Sequence, residues 1–261
     1  MCQGCGCGDV EGYAIDGVPA VSAQVDSDGA LHDAATHTHE HDVDHRHLPV
    51  HVSLLAKNDR IAERNRGYFM AKGVVVVSIA SSPGSGKTAL IERTLHDMAD
   101  TFEAGVIVGD LATDNDARRL ARAEAPVAQI TTGTVCHLDA DMIANSIPRF
   151  DLDALDLLIV ENVGNLVCPA AYDLGEDARV VLMSVTEGED KPAKYPTMFQ
   201  GADAVVITKT DMTDAAHFDR DAALGYIRRV APDTEILELS SLNGDGMGSW
   251  YGFLDRRLKA R

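Results

Sequence analysis

An α/β architecture with a mostly parallel sheet flanked by helices is what this chain predicts. Three observations lead there: seven short β-branched runs, helical stretches between them, and near-continuous apolar character within each run. Strands covered on both faces read as continuous rather than alternating runs, and strands that alternate with helices form parallel sheets through right-handed crossovers. The runs cover 74–80, 105–109, 127–131, 155–160, 180–185, 204–208 and 236–239. Ahead of the first, Leu54, Leu55, Asn58, Ile61, Ala62, Asn65, Tyr68 and Phe69 recur at three- and four-residue steps with charged residues between them. That spacing predicts an amphipathic helix over 53–72, and Gly73 lies where it should stop. No internal repeat is visible.

Composition narrows the class. The 261 residues are 45% hydrophobic and 25% charged, as in a globular protein with a real core, and carry a net charge of −18. That balance argues against a nucleic-acid surface, which would show as a basic stripe, and it concentrates metal cations near the chain. The longest apolar run, 74–80, is far too short to cross a bilayer. With no basic segment and apolar h-region at the start, no secretory signal is read. The expected location is therefore the cytoplasm, where thiols stay reduced, and the five cysteines read as ligands or buried thiols rather than a disulfide framework. Residues 1–52 hold nine acidic residues against one arginine and few large apolar residues, so they are expected to be disordered without metal. The organisation predicted is a flexible Cys/His-rich region (1–52), the amphipathic helix (53–72) and a nucleotide domain (73–261).

Between the first run and a helical stretch lies Ser81-Ser82-Pro83-Gly84-Ser85-Gly86-Lys87-Thr88-Ala89. A phosphate loop is a glycine, four residues, then Gly-Lys-Ser/Thr; here Ser81 replaces the first glycine. Gly84 and Gly86 let backbone N–H groups approach phosphate, with Pro83, Ser85 and Ala89 completing the cradle. Lys87 reaches the β- and γ-phosphates, Thr88 supplies a hydroxyl for Mg2+, and the helix N-terminus adds a favourable dipole. Asp110 and Glu161 each fall at the end of a run, where ligands of open α/β sheets gather. Both are expected to hold Mg2+ directly or through water, although each taken alone reads equally well as a helix cap. Gly164 is placed to offer its N–H to the γ-phosphate. Lys87, Asp110 and Glu161 are the candidate catalytic residues.

Base selection is read from Thr208-Lys209-Thr210-Asp211, about 120 residues after the phosphate loop. A carboxylate at Asp211 accepts from guanine N1–H and its exocyclic amine, donors that adenine does not present there, which favours GTP and GDP over adenine nucleotides. The usual tetrapeptide begins with Asn rather than Thr208. Ser240 and Ser241 precede Gly244 where such proteins meet the guanine carbonyl.

Metal ligands come in three groups. Cys2, Cys5 and Cys7 place three thiolates within six residues, and the amine of Cys2 completes four N/S ligands if Met1 is removed. The set is consistent with Ni2+, though Zn2+ or copper would also bind; the bland reading is a vestigial terminus. Seven histidines follow, His32, His37, His39, His41, His45, His47 and His51, a tract suited to storing or buffering these ions. Cys136, His137 and Cys168 are the remaining candidates. The adjacent pair works together only in an irregular turn or at a helix start, and a lone buried cysteine is more often a small core hydrophobe. Cys168, however, trails Glu161 and Gly164 by a few residues, so a metal there would be coupled to the γ-phosphate loop.

Taken together, Cys2-x-x-Cys5-Gly6-Cys7, the His-rich tract, Ala56-Lys57-Asn58-Asp59, the phosphate loop, and the stretches 109–117, 132–140 and 161–169 resemble the HypB family, GTPases that assist nickel insertion into NiFe hydrogenase. The resemblance covers nearly the whole chain. It implies a P-loop NTPase fold of the SIMIBI type and a GTP-promoted homodimer. It also implies an interfacial metal site from Cys136, His137 and Cys168 of each subunit. The partners implied are the nickel chaperone HypA and the hydrogenase large subunit precursor. Alternatives are a urease accessory GTPase, which the cysteine cluster and Cys136-His137 disfavour, and a nickel or zinc store with a residual nucleotide fold.

Overall fold

The computed structural model describes residues 12–20, 47–112, 114–123 and 125–261. In chain order the strands are β1 (Tyr13–Ile15), β2 (Val18–Ala20), β3 (Val75–Ser81), β4 (Ala104–Asp110), β5 (Val127–Thr131), β6 (Leu157–Glu161), β7 (Ala178–Ser184), β8 (Ala204–Thr208) and β9 (Glu235–Glu238). The α-helices are α1 (His47–Lys72), α2 (Lys87–Met98), α3 (Asn115–Leu120), α4 (Ala140–Ser146), α5 (Lys191–Lys194), α6 (Pro196–Gln200), α7 (Arg220–Val230) and α8 (Met247–Lys259). The strands form one sheet in the order β2-β1-β5-β4-β6-β3-β7-β8-β9.

From β5 to β9 the sheet is parallel, as the seven apolar runs require. β3 sits in the middle and is buried along its whole length, because helices cover both of its faces. On one face Leu90, Ile91 and Leu95 of α2 and Trp250, Phe253 and Leu254 of α8 pack over Val77 and Ile79. On the other, Phe69 of α1 and Met142 and Ile143 of α4 cover Val76 and Leu158. Trp250 is sealed in, yet its indole N–H still finds Thr94 Oγ1 at 2.8 Å, as a buried indole should. Phe69 is fully buried, so Phe69→Ala is expected to cost about 3–5 kcal/mol by leaving a cavity. Trp250, the single tryptophan, reports the shifted denaturant midpoint by its emission.

Strand ends shift slightly from the sequence reading. Asp110 and Glu161 are the last residues of β4 and β6 rather than the residues after them. The long helix begins earlier than expected, at His47. Its buried stripe is Asn58, Ala62, Asn65 and Phe69, while Leu54 and Tyr68 are exposed. The two asparagines are buried because they bond to loop backbone. Asn58 accepts from Ala140 N at 2.9 Å and donates to Asp173 O at 2.8 Å, and Asn65 donates to Ala140 O at 2.8 Å.

Residues 12–20 correct the expectation that all of 1–52 lies outside the folded part. β1 and β2 form a hairpin whose turn residues, Asp16 and Gly17, both have positive φ (49° and 76°), as a two-residue type I′ turn demands. β1 then pairs antiparallel with β5, Ala14 opposite Thr131. The Asp16 carboxylate accepts from Gln129 N at 2.9 Å, fixing that register.

Candidate functional site

The turn from β3 into α2 is built by local chemistry. Gly84 and Gly86 adopt φ of 76° and 97°, conformations that side-chain-bearing residues rarely hold. Ser81, the departure from the glycine consensus, is the fully buried end of β3. Its hydroxyl donates to Ser82 O at 2.6 Å and accepts from Lys87 Nζ at 3.0 Å. The serine thus holds the lysine that the loop exists to present. Lys87 is itself buried, and that burial holds its pKa below the ordinary lysine value against the pull of Glu161.

Thr88 Oγ1 donates to Glu161 Oε1 at 2.8 Å, while Glu161 Oε2 is buried with no partner among the described residues. Burial pushes the Glu161 carboxyl up to about 7, opposed by the charge of Lys87 and the Thr88 hydrogen bond. A cleft of about 480 Å³ opens over these groups, lined by Pro83, Gly84, Gly86, Lys87, Thr88, Ala89, Asp110, Glu161 and Gly164 among others. Gly164 lies against the loop: a Cβ there would sit 3.1 Å from Pro83 Cα. Asp116 and Arg119 of α3 also line the cleft. Sequence reasoning missed them, because a six-residue helix leaves no periodic signal. Arg119 is tied to Glu92 by an Nε–Oε2 hydrogen bond of 2.8 Å.

At the other end of the loop, Thr208 Oγ1 donates to Ser85 O at 2.6 Å and Lys209 Nζ to Gly84 O at 2.7 Å. Lys209 takes a left-handed φ of 58° to reach it. The tetrapeptide therefore braces the phosphate loop. Asp211 is exposed and accepts from Ser240 Oγ at 2.5 Å; Ser241 follows, half-buried. Thr208 supplies by its hydroxyl the brace to the Ser85 carbonyl, which explains how the chain tolerates it in the first position.

A second constellation lies beside the cleft. Cys136 and Cys168 are not joined by a disulfide, and their sulfurs are 2.9 Å apart. With His137 they place three ligand atoms within 4.8 Å of one another. Cys136 and His137 sit in irregular backbone between β5 and α4, the setting in which neighbours can converge. His137 is buried, stacked on Tyr172 at 3.9 Å, and its Nδ1 has no hydrogen-bond partner among the described residues. Burial holds its pKa down at about 4, so the imidazole is neutral near pH 7 with a lone pair to give. Two thiols and an orphaned imidazole nitrogen fit a soft or borderline cation.

One segment joins both places. From Glu161 it passes Asn162, whose Oδ1 accepts from Leu138 N at 3.1 Å. It continues past Gly164, against Pro83, to Asn165, whose Nδ2 reaches Cys136 O at 3.4 Å, and ends at Cys168. Arg179 fixes the far side by donating to Tyr172 O at 2.9 Å. Cys2, Cys5, Cys7 and five of the seven tract histidines lie outside the described residues, and His47 and His51 fall in the first turns of α1.

A glycine-shaped loop between a central parallel strand and a helix, with a buried lysine and threonine facing strand-end acids, defines a P-loop nucleotide-binding protein. Residues 75–238 match the CobW/HypB/UreG nucleotide-binding domain. Among curated relatives, hydrogenase maturation factor HypB of Azotobacter vinelandii is 47% identical over 220 residues, covering 83% of this chain and 73% of that one. HypB of Escherichia coli K12 is 47% identical over 210 residues, covering 80% and 72%. The crystal structure of Helicobacter pylori HypB in complex with nickel superposes with a TM-score of 0.75 at 40% identity, covering 78% of this chain and 96% of that one. Archaeoglobus fulgidus HypB gives 0.74 at 40%, covering 78% and 99%. The chain belongs to the HypB family of hydrogenase maturation factors. No helix among the described residues is long and apolar enough to cross a membrane.

Proposed function

We propose that this chain is a nickel metallochaperone GTPase whose GTP binding and hydrolysis time the delivery of nickel to a maturing NiFe hydrogenase. The observation that carries the reading is the single segment from Glu161 to Cys168, which has one end in the nucleotide cleft and the other in the thiol cluster. A change of nucleotide that moves the first end moves a metal ligand at the second. The test is to titrate Ni2+ in the presence of GDP and then of a non-hydrolysable GTP analogue. Equal affinity in the two states would remove the coupling.

The unpartnered buried oxygen of Glu161, with Thr88 and Asp110 beside it, fits a hard cation that prefers oxygen ligands. Mg2+ bound there would neutralise phosphate charge. Lys87 adds a fixed positive charge next to the transferred phosphoryl group, and Gly164 offers a backbone N–H from the opposite wall. Water attacks the terminal phosphorus, and phosphate departs from GDP. Arg119 is paired with Glu92, so intrinsic turnover is expected to be slow, well below about one per second.

Because the Glu161 carboxyl is held up near 7, protons compete with the cation below that pH. Mg2+-dependent nucleotide binding is expected to strengthen as pH rises from 6 to 8, by up to about tenfold per unit on the acid side. Glu161→Gln should flatten that profile, and an unchanged slope in the variant would exclude Glu161 as its source.

Asp211, backed by Ser240, is the guanine reader. Asp211→Asn presents one donor and one acceptor, which suits xanthine, with a C2 carbonyl in place of the amine. The variant should lose about 2–3 kcal/mol of GTP affinity and gain for XTP, measured by competition against a fluorescent nucleotide.

The remaining assignments follow from family membership. Cys2, Cys5 and Cys7 form an amino-terminal nickel site within a Cys/His-rich region, and Zn2+ is an alternative occupant of either site. GTP promotes a homodimer that shares Cys136, His137 and Cys168. HypA and the hydrogenase large subunit precursor receive the ion in the cytoplasm.

A further inference from the structure

We propose that Asn162 is the side chain through which the nucleotide cleft and the Cys136–His137–Cys168 cluster communicate. One end of its amide reads an acceptor oxygen in the cleft, and the other end holds the peptide behind His137. The inference rests on the coupled reading above and names the residue that carries it.

Asn162 is buried, lines the cleft, and follows Glu161 directly. Its backbone N–H donates to Ile79 O at 2.9 Å, pinning it to the central strand. Its Oδ1 accepts from two backbone donors, Leu138 N at 3.1 Å and Val163 N at 2.9 Å. Two N–H groups on one atom settle the orientation of the amide, because Nδ2 cannot accept. The Nδ2 group therefore points away from Leu138 with two donor hydrogens and finds no partner among the described residues. Unlike Glu161 Oε2 and His137 Nδ1, Nδ2 is not sealed away, and the void that Asn162 lines is the cleft. An oriented donor pair at that wall suits an oxygen of the terminal phosphate, which a triphosphate supplies and a diphosphate lacks.

The Oδ1 end has a defined target. Leu138 N belongs to the peptide that joins Leu138 to His137. The Leu138 side chain is wedged so closely over β4 that a Cβ on Gly109 would lie 2.8 Å from its Cγ. With that side chain fixed, a shift of the amide is taken up by the His137 peptide. Asn165, 3.4 Å from Cys136 O, is a weaker second tie. The Gly164–Pro83 contact touches the phosphate loop, and none of its atoms bonds to residues 136–138.

The test uses the full-length chain carrying Cys2→Ser, Cys5→Ser and Cys7→Ser. Cys136 and Cys168 are then the remaining cysteines, and thiolate-to-nickel absorbance reports on that cluster alone. Ni2+ is titrated with GDP and with a non-hydrolysable GTP analogue. In the Asn162-containing chain the two affinities should differ by at least about fivefold. Asn162→Ala should bring the ratio below about twofold. Asn162→Asp keeps an acceptor for Leu138 N but replaces the donors, so it should also lose the ratio. Being nearly isosteric, it decides the matter if the alanine variant fails to fold.

A purely structural role would weaken nickel equally in both nucleotide states; that result, or a full ratio in Asn162→Asp, overturns the inference while leaving the coupled reading intact. A ratio of one with Asn162 present overturns both.

Discussion

Lys87→Ala is expected to lower the rate of GTP hydrolysis by about 10²–10³-fold, measured as phosphate release at saturating nucleotide. Lys87 is the buried cation of the cleft, held by Ser81 Oγ at 3.0 Å and surrounded by carboxylates. Its loss takes away a charge already in place when negative charge redistributes in the transition state. The effect spreads to Glu161, whose carboxyl the lysine pulls down against burial. Without that pull Glu161 holds its proton more tightly and offers a poorer site for a cation. Nickel held by the amino-terminal cysteines should be untouched. A variant that loses both activities together would show that the division of labour proposed here is wrong.

Removing either inner thiolate should have the second largest effect. Cys136→Ala and Cys168→Ala each delete one of three ligand atoms grouped within 4.8 Å. Loss of an outer-sphere partner typically costs 10–100-fold in metal affinity, so loss of a direct ligand should exceed about 100-fold. Both cysteines are half-exposed and belong to none of the apolar clusters, so stability should change by only about 1 kcal/mol. Elemental analysis of the chain with the amino-terminal cysteines replaced reads the difference. Equal nickel content in the parent and both variants would dispose of the inner site.

What the sequence could disclose followed from how local each feature is. The phosphate loop is contiguous, so its glycines, Lys87 and Thr88 could be read directly. Asp110 and Glu161 were legible through a topological rule, since strand ends of a parallel sheet converge whatever lies between them. Asp116 and Arg119 were not, because only the packing of α3 brings them to the cleft. Asn162 carried no signal either: an asparagine after a strand looks like any loop residue until its amide is seen spanning to Leu138. The stripe of α1 was read with Asn58 and Asn65 in it, and both are buried, but periodicity could not say that Leu54 and Tyr68 would be exposed, nor that the asparagines' burial depends on carbonyls and amides more than seventy positions away. The hairpin was missed for another reason. Its strands are three residues long, beneath any periodic window, although Asp16-Gly17 between apolar neighbours was a turn signal in plain view.

That hairpin has a practical consequence. β1 occupies the outer edge of β5, the strand that feeds the turn carrying Cys136. A chain shortened to start at the long helix would leave a bare row of peptide donors and acceptors there, an invitation to any passing strand. Such a fragment should self-associate irrespective of nucleotide. Measurements of subunit pairing therefore belong on chains cut ahead of Gly12, where the edge stays sheathed.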